Sequence, residues 1–194
     1  MKKLLWFCLI GAFVVESTFV SAQEKAPLGN GNFVLKLDYI AFTDSHFDVA
    51  GIANEGSYIG LEGYGKITPN LYLGGEIGVG TMVLELVFIP IELNLKCAME
   101  AARNFVVDFG TGISYSFVEV GESGPFYYFG APVGTAQENR SDWLFGGQVF
   151  AGLTYKMNWL SIGVHGKYQI TEAYKDASIN LSNYRLGVQL GLVF

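Results

Sequence analysis

The chain has 194 residues, with 12 Lys plus Arg against 18 Asp plus Glu and a formal charge of -6. The acidic balance excludes a nucleic-acid-binding reading, and the length fits one compact domain. Hydrophobic residues make up 51% of the chain. Past the first 22 residues, however, no apolar run approaches the ~20 residues of a membrane helix, so a helical membrane protein is excluded as well.

The first segment reads as an export signal. Lys2 and Lys3 give a short positive region, Leu4 to Val15 is almost wholly apolar, and Val20, Ser21 and Ala22 supply small residues at a cleavage spacing. Residues 1–22 are therefore expected to be a signal peptide, removed before Gln23, with 23–194 forming the mature domain. Trp6 and Phe7 precede Cys8 where a lipoprotein signal needs small residues, which argues against a lipid anchor there. Removal of Lys2, Lys3 and Glu16 leaves 10 basic against 17 acidic residues, a formal charge of -7. Cys97 is then the sole cysteine, so no intramolecular disulfide can form.

The mature chain alternates apolar and polar residues along eight segments, taken as strands over 32–42, 57–68, 70–81, 84–98, 103–119, 142–156, 158–171 and 183–194. In the second, Ile59, Leu61 and Ile67 alternate with Tyr58, Gly60, Glu62, Tyr64 and Lys66. In the third, Leu71, Leu73, Ile77 and Val79 alternate with Tyr72, Gly74, Glu76, Gly78 and Gly80. The fifth sets Phe105, Val107, Phe109, Ile113, Tyr115 and Phe117 against Asp108, Gly110, Gly112, Ser114 and Ser116. The seventh sets Leu160, Ile162, Val164, Tyr168 and Ile170 against Ser161, Gly163, His165, Lys167 and Gln169. The last carries Leu186, Val188, Leu190, Leu192 and Phe194 on one face and Arg185, Gly187, Gln189 and Gly191 on the other. Its length suits a tilted strand crossing a bilayer. The 25 glycines would weaken helices by roughly 1 kcal/mol at each interior position, whereas a small barrel can use them between bulky neighbours. Period two fits either a soluble sandwich or a barrel with its apolar face outward, and export favours the second.

Connection lengths support the barrel. The links at 68–70, 99–102 and 156–158 are short, whereas 43–56, 121–141 and 172–182 are long, and only the link near Met82 is brief on the long side. With both termini in the periplasm, the tight turns fall there and the long loops fall outside. The fold expected is all-β, an eight-stranded antiparallel up-and-down transmembrane β-barrel.

The signal, the glycine-containing strands, the run from Ile89 to Lys96 and the closing Leu190 to Phe194 resemble the small eight-stranded outer-membrane barrels of the OmpA/OmpX-like superfamily, an outer-membrane β-barrel or porin-like domain. The resemblance spans about Gly29 to Phe194. It implies a Gram-negative outer membrane and insertion by the barrel assembly machinery, which reads a C-terminal aromatic such as Phe194. It implies no shared activity.

Lys36, Asp38, Glu62, Lys66, Glu76, Glu92, Lys96, Asp108, His165, Lys167 and Arg185 are expected to face inward. Both signs are present, and an eight-stranded lumen is only wide enough for side chains to fill, so a salt-bridged plug is favoured over a narrow solute path. Arg185 is expected to pair with one or more of Glu62, Glu76, Glu92 and Asp108. Pro90 cannot donate to a ladder and is expected at a bulge or near the membrane rim. Trp143, Tyr155, Trp159 and Tyr168 fit interfacial belts, with simple aromatic packing as the plainer reading. Cys97 fits a small hydrophobe on the apolar face.

No catalytic, cofactor-binding or metal-binding residue is assigned. His165 shares a face with Ser161 and Lys167, but outer-membrane lipid A deacylases use a lipid-facing His and Ser separated by one residue, and Lys167 stands where that Ser would be. Asp44, His46 and Asp48 alternate in the first long loop and fit a hydrated acidic loop better than a metal site. The apolar stretch from Gly124 to Phe129 fits packing against the barrel mouth or an external contact. The function expected is non-enzymatic: envelope integrity and surface-loop interactions. The alternatives are a narrow passive porin for small solutes and a lipid-modifying barrel enzyme. Expected partners are outer-membrane lipid and lipopolysaccharide, the assembly machinery during insertion, and an external ligand at loops 43–56 and 121–141, with the chain a monomer.

Overall fold

The computed structural model describes residues 26–44, 54–82, 86–120, 127–128, 131–132, 140–173 and 180–194. The strands are β1 (Gly31–Phe42), β2 (Glu55–Thr68), β3 (Leu71–Met82), β4 (Leu86–Ala102), β5 (Phe105–Val120), β6 (Tyr127–Tyr128), β7 (Ala131–Pro132), β8 (Arg140–Met157), β9 (Leu160–Thr171) and β10 (Asn183–Val193). Eight of them close into a barrel in the order β1-β10-β9-β8-β5-β4-β3-β2, antiparallel at every step, and β6 and β7 form a separate two-stranded ladder. The expected all-β barrel is thus the observed fold. The β6–β7 ladder falls where sequence alone indicated only a long loop. The signal segment 1–22 lies outside the described residues.

Alternation puts the apolar face outward. Phe33, Leu61, Ile113 and Leu186 are more than half exposed, and large hydrophobics on every barrel strand share that outer surface. Such a surface is stable in hydrocarbon and not in water. Tyr115 and Phe117 pack on Trp143, with ring centroids 4.7 and 5.3 Å away. Phe105 packs on Tyr155 at 4.9 Å, and Trp159 and Tyr168 are also exposed. All four aromatics expected in belts therefore stand on the outer face. Cys97 belongs to that face by parity but is covered, 5% exposed, between its ladder partners Leu71 and Phe109.

The tight turns are shorter than sequence indicated. β4 continues to Ala102 and β8 to Met157, leaving two-residue turns at Arg103–Asn104 and Asn158–Trp159. Asn104 and Asn158 adopt φ of 69° and 53°, a left-handed conformation that asparagine tolerates and tight hairpins require. A register shift between Glu100 and Ala102 absorbs the extra length, and Glu100 accepts a hydrogen bond from the Asn104 amide at 3.2 Å. A second shift, between Lys66 and Thr68, breaks the alternation at the end of β2. Lys66 keeps the register opposite Tyr72 but stands close to the turn end of β2, where it is exposed and donates to Asn30 Oδ1 at 2.8 Å, which corrects its expected place inside.

Pro90 sits neither at a bulge nor at a strand end. Its ladder to β5 runs straight through the Pro90–Ser116 pair, while the ladder to β3 opens opposite Gly78 and Val79 and resumes at Gly80–Phe88 in unchanged register. The missing N–H is accommodated by that gap.

The interior is layered. At the loop end, Ile40, Phe42, Tyr58, Leu86, Phe88, Val118, Leu144 and Leu181 form an apolar cluster. At the turn end, Leu28, Tyr64, Tyr72, Ala98, Val106 and Phe150 form another. Leu28 reaches it from outside the barrel wall. Residues Ala26 to Asn30 turn across the mouth, where the Leu28 amide donates to Tyr72 Oη at 3.1 Å and Lys156 Nζ donates to the Pro27 carbonyl at 2.7 Å. This stopper has no periodic signal in the sequence.

Several inward rings lie over glycines. A Cβ on Gly78 would stand 2.2 Å from Tyr58 Oη, and one on Gly110 would stand 2.3 Å from both the Leu95 carbonyl and Phe150 Cζ. Gly110→Ala is therefore expected to destabilise the barrel by about 1–3 kcal/mol through overpacking. Chemical unfolding in detergent measures it, and an unchanged midpoint would show that Phe150 has room to move.

Candidate functional site

Between the two apolar clusters lies a layer of buried charge. The registers pair Glu62 with Glu76 across β2 and β3, and Glu76 with Glu92 across β3 and β4, so three carboxylates stand side by side on one wall. Like charges directly opposite in a sheet repel. Their counterions are Lys36 on β1, which adjoins β2, Lys96 on β4 itself, and Lys167 on β9 and Arg185 on β10 from the opposite wall.

Glu62 is bound by Lys36 and by Lys96, the latter at 2.5 Å. Glu76 receives Lys36 at 2.7 Å, Lys167 at 2.6 Å, Arg185 at 3.1 Å and the Tyr58 hydroxyl at 2.7 Å. Glu92 receives Lys167 at 2.5 Å and also Arg185. Arg185 Nη2 reaches Gln169 Oε1 at 3.2 Å, and the guanidinium carbon lies 4.4 Å from the Tyr58 ring centroid. Lys96 Nζ lies 3.9 Å from the Tyr64 ring centroid. In the barrel order β9 stands directly opposite β3, and β10 opposite β4. The Lys167–Glu76 and Arg185–Glu92 pairs therefore span the full diameter, and side chains fill the lumen.

Ten of the eleven residues expected inside are buried there, the exception being Lys66. Arg185 is fully buried and engages two of its four expected partners, Glu76 and Glu92. Asp38 and His165 pair separately, Nε2 to Oδ2, at 3.1 Å. Ser161 and His165 do share the inner face, as expected, and both are buried. Their neighbours are polar and structural, with Gln189 donating to Thr154 Oγ1 at 2.7 Å nearby. Tyr58 and Tyr64, which support the cations, belong to the site although sequence reading gave them no role. Their signal is spacing, since Tyr58 lies four residues and Tyr64 two residues from Glu62 on the same face.

In the first loop, Asp44 Oδ2 accepts from the Asn180 amide at 2.6 Å, while His46 and Asp48 lie outside the described residues. Among the described residues, no group of three or more His, Cys, Asp and Glu is placed to hold a metal ion. In the Gly124 to Phe129 stretch, only the backbone of Tyr127 and Tyr128 is described, as β6.

No family model and no curated relative matches the chain. Solved structures do. Neisserial surface protein A superposes with a TM-score of 0.66 at 10% identity, over 86% of this chain and 98% of that one. The N-terminal β-barrel domain of Pseudomonas aeruginosa OprF gives 0.55 at 9% identity, over 86% and 98%. Ail, the attachment invasion locus protein of Yersinia pestis, gives 0.51 at 11% identity, over 84% and 98%. At these identities the likeness establishes the fold, a small eight-stranded barrel of the outer-membrane type.

The charged layer carries a quantitative consequence. Arg185→Leu leaves Glu76 and Glu92 each short of a buried partner and is expected to cost about 3–5 kcal/mol. Lys66→Leu, at an exposed turn position, is expected to cost less than about 1 kcal/mol. Unfolding of both variants beside the parent in detergent measures the contrast, and equal midpoints would mean that the lumen is wet enough to screen Arg185.

Proposed function

We propose that this chain is a non-enzymatic outer-membrane barrel that contributes to envelope integrity and displays its long loops at the cell surface. The supporting observation is the filled lumen, in which ion pairs span the diameter between two apolar clusters. A barrel so plugged offers its wall and its loops, not a path. The tight turns are assigned to the periplasm and the long connections to the exterior, the usual arrangement of such barrels. Lipid and lipopolysaccharide are its surroundings, and loops 43–56 and 121–141 are the surfaces for an external ligand. The names of two fold neighbours, a surface protein and an attachment protein, accord with that reading.

Purified folded protein in planar lipid bilayers is expected to show no reproducible conductance steps. A stable channel would replace the structural reading with that of a narrow porin. Lipid A hydrolysis by the same preparation would replace it with an enzymatic one.

The terminal residue provides a second test. The Phe194 carbonyl accepts from the Asn30 amide at 2.6 Å and the Gly31 amide at 3.0 Å, and the Phe194 amide donates to the Gly31 carbonyl at 3.0 Å. Deleting Phe194 removes this join and the aromatic that the assembly machinery is proposed to read. The folded, heat-modifiable band in membrane fractions is expected to fall several-fold, and undiminished yield would reject the role.

A further inference from the structure

Charge divides the two rims of the barrel. The charged side chains described at the loop end are all acidic: Asp44, Glu55, Glu119, Asp142 and Glu172. At the turn end they are Lys66, Arg103 and Lys156 against Glu100. Every charged side chain described between the rims is buried in the lumen, so the lipid-facing wall carries none. Two of the turn-end cations share one corner. Arg103 is exposed in the β4–β5 turn, and the Asn104 carbonyl next to it accepts from the Lys156 amide at 2.8 Å, so that turn lies against the end of β8. Lys156 Nζ donates to the Pro27 carbonyl at 2.7 Å and, as an ammonium, has further protons to give. Glu100 accepts from the Asn104 amide, so two cations against one carboxylate leave the corner with a single net positive charge.

Along the wall from this corner the outer face turns aromatic and then concave. Phe105 and Tyr155 pair across β5 and β8 with ring centroids 4.9 Å apart, and Trp159, in the adjoining turn, is 65% exposed. Such rings settle at the level of lipid headgroups. Farther along β8, Leu153 and Ala151 follow on the same face, and Ala151 lies beside Gly166 on β9, which lies beside Leu186 on β10. The two small residues leave a shallow apolar depression of about 410 Å³ walled by Leu153, Val164 and Leu186. Ala151 stands ~13 Å along the strand from Tyr155, within the ~15 Å that the chains of one leaflet fill.

We propose that this corner seats one net-anionic phospholipid, with its phosphate on Arg103 and Lys156, its glycerol region on Phe105, Tyr155 and Trp159, and an acyl chain along Tyr155 and Leu153 into the depression. The inference rests on the membrane-embedded reading above and adds a lipid class to it. A guanidinium matches two phosphate oxygens at once. A zwitterionic headgroup brings its own cation to the corner and gains less, and the acidic loop rim offers an anionic lipid no such partner.

Tryptophan quenching tests this, because the chain has three tryptophans and two of them mark opposite rims. Trp6→Phe with Trp143→Phe leaves Trp159 as the turn-end reporter; Trp6→Phe with Trp159→Phe leaves Trp143 at the loop end. Each is folded into vesicles of phosphatidylglycerol and phosphatidylcholine in which one lipid or the other carries brominated acyl chains. Both leaflets have the same composition, so insertion direction does not enter. At low ionic strength Trp159 is expected to favour phosphatidylglycerol by about fivefold, the weight of one net cation at an anionic surface, and Trp143 is expected to show no preference for it. Raised salt is expected to bring the Trp159 ratio near parity, as is Arg103→Gln. Equal quenching of Trp159 by the two lipids overturns the proposal, as does an equal preference for phosphatidylglycerol at Trp143, or one at Trp159 that Arg103→Gln leaves intact in a folded barrel. A preference at Trp159 that survives raised salt also overturns it, and that measurement does not depend on the folding of the Arg103 variant. Quenching of neither tryptophan by either lipid overturns the membrane-embedded reading and the proposal together.

Discussion

Three glutamates in register on adjacent strands are the constraint on which the rest of the interior depends. Glu62, Glu76 and Glu92 face one another across two successive ladders, an arrangement that would drive the sheet apart if left alone. Cations from their own wall cannot neutralise all three, because the neighbouring inward positions on β2 and β3 are Gly60, Tyr64, Gly74 and Gly78. Lys96 on β4 reaches Glu62, Lys36 on the adjoining β1 reaches Glu62 and Glu76, and Lys167 and Arg185 do the rest from the other side. Such reach fixes the radius. A wider barrel would leave the pairs apart, and a shifted register would move a charge to the lipid face.

Buried ion pairs are weak evidence for stability, since desolvation offsets much of their attraction, but breaking one is costly. Their contribution here is specificity of register and closure. The two apolar clusters matter because they keep that layer dry: Tyr58 lies under Arg185 in the loop-end cluster, and Tyr64 lies beside Lys96 in the turn-end cluster. Each of these rings belongs both to a lid and to the charge it covers. Glycines on the next strands make the rings fit, as at Gly78 beneath Tyr58 and at Gly74, where a Cβ would stand 2.5 Å from the Tyr64 ring.

Strand positions, face assignment and the inward charges were legible in the sequence because each depends on local alternation, which period two exposes directly. What escaped was non-local. The register of Glu62, Glu76 and Glu92 depends on turn length and on bulges, and the exposure of Lys66 depends on how close to the turn its place in β2 falls. The span of Arg185 to Glu92 depends on strand order around a closed ring, which no single segment encodes. Leu28 escaped for a different reason: one apolar residue ahead of the first strand carries no periodicity, yet it fills the mouth that the barrel leaves open. Pro90 looked like a defect, and proved to be one whose cost falls on a single ladder.

Closure of β1 onto β10 is the step with the largest loop to order, since it joins strands from opposite ends of the described barrel. The chain places extra bonds along that seam. At the turn end, Asn30 and Gly31 meet Phe194; at the loop end, the Thr43 amide and hydroxyl both donate to the Ser182 carbonyl, at 2.9 and 3.1 Å, and Asp44 holds the Asn180 amide. Midway, Lys36 from β1 and Arg185 from β10 converge on Glu76, so the two seam strands share one counterion. The seam is therefore held at both ends through backbone groups and in the middle through the charged layer. An interior that binds its own closing strands in this way cannot easily open a channel without also loosening the wall, and that links the filled lumen to the structural role proposed for the barrel.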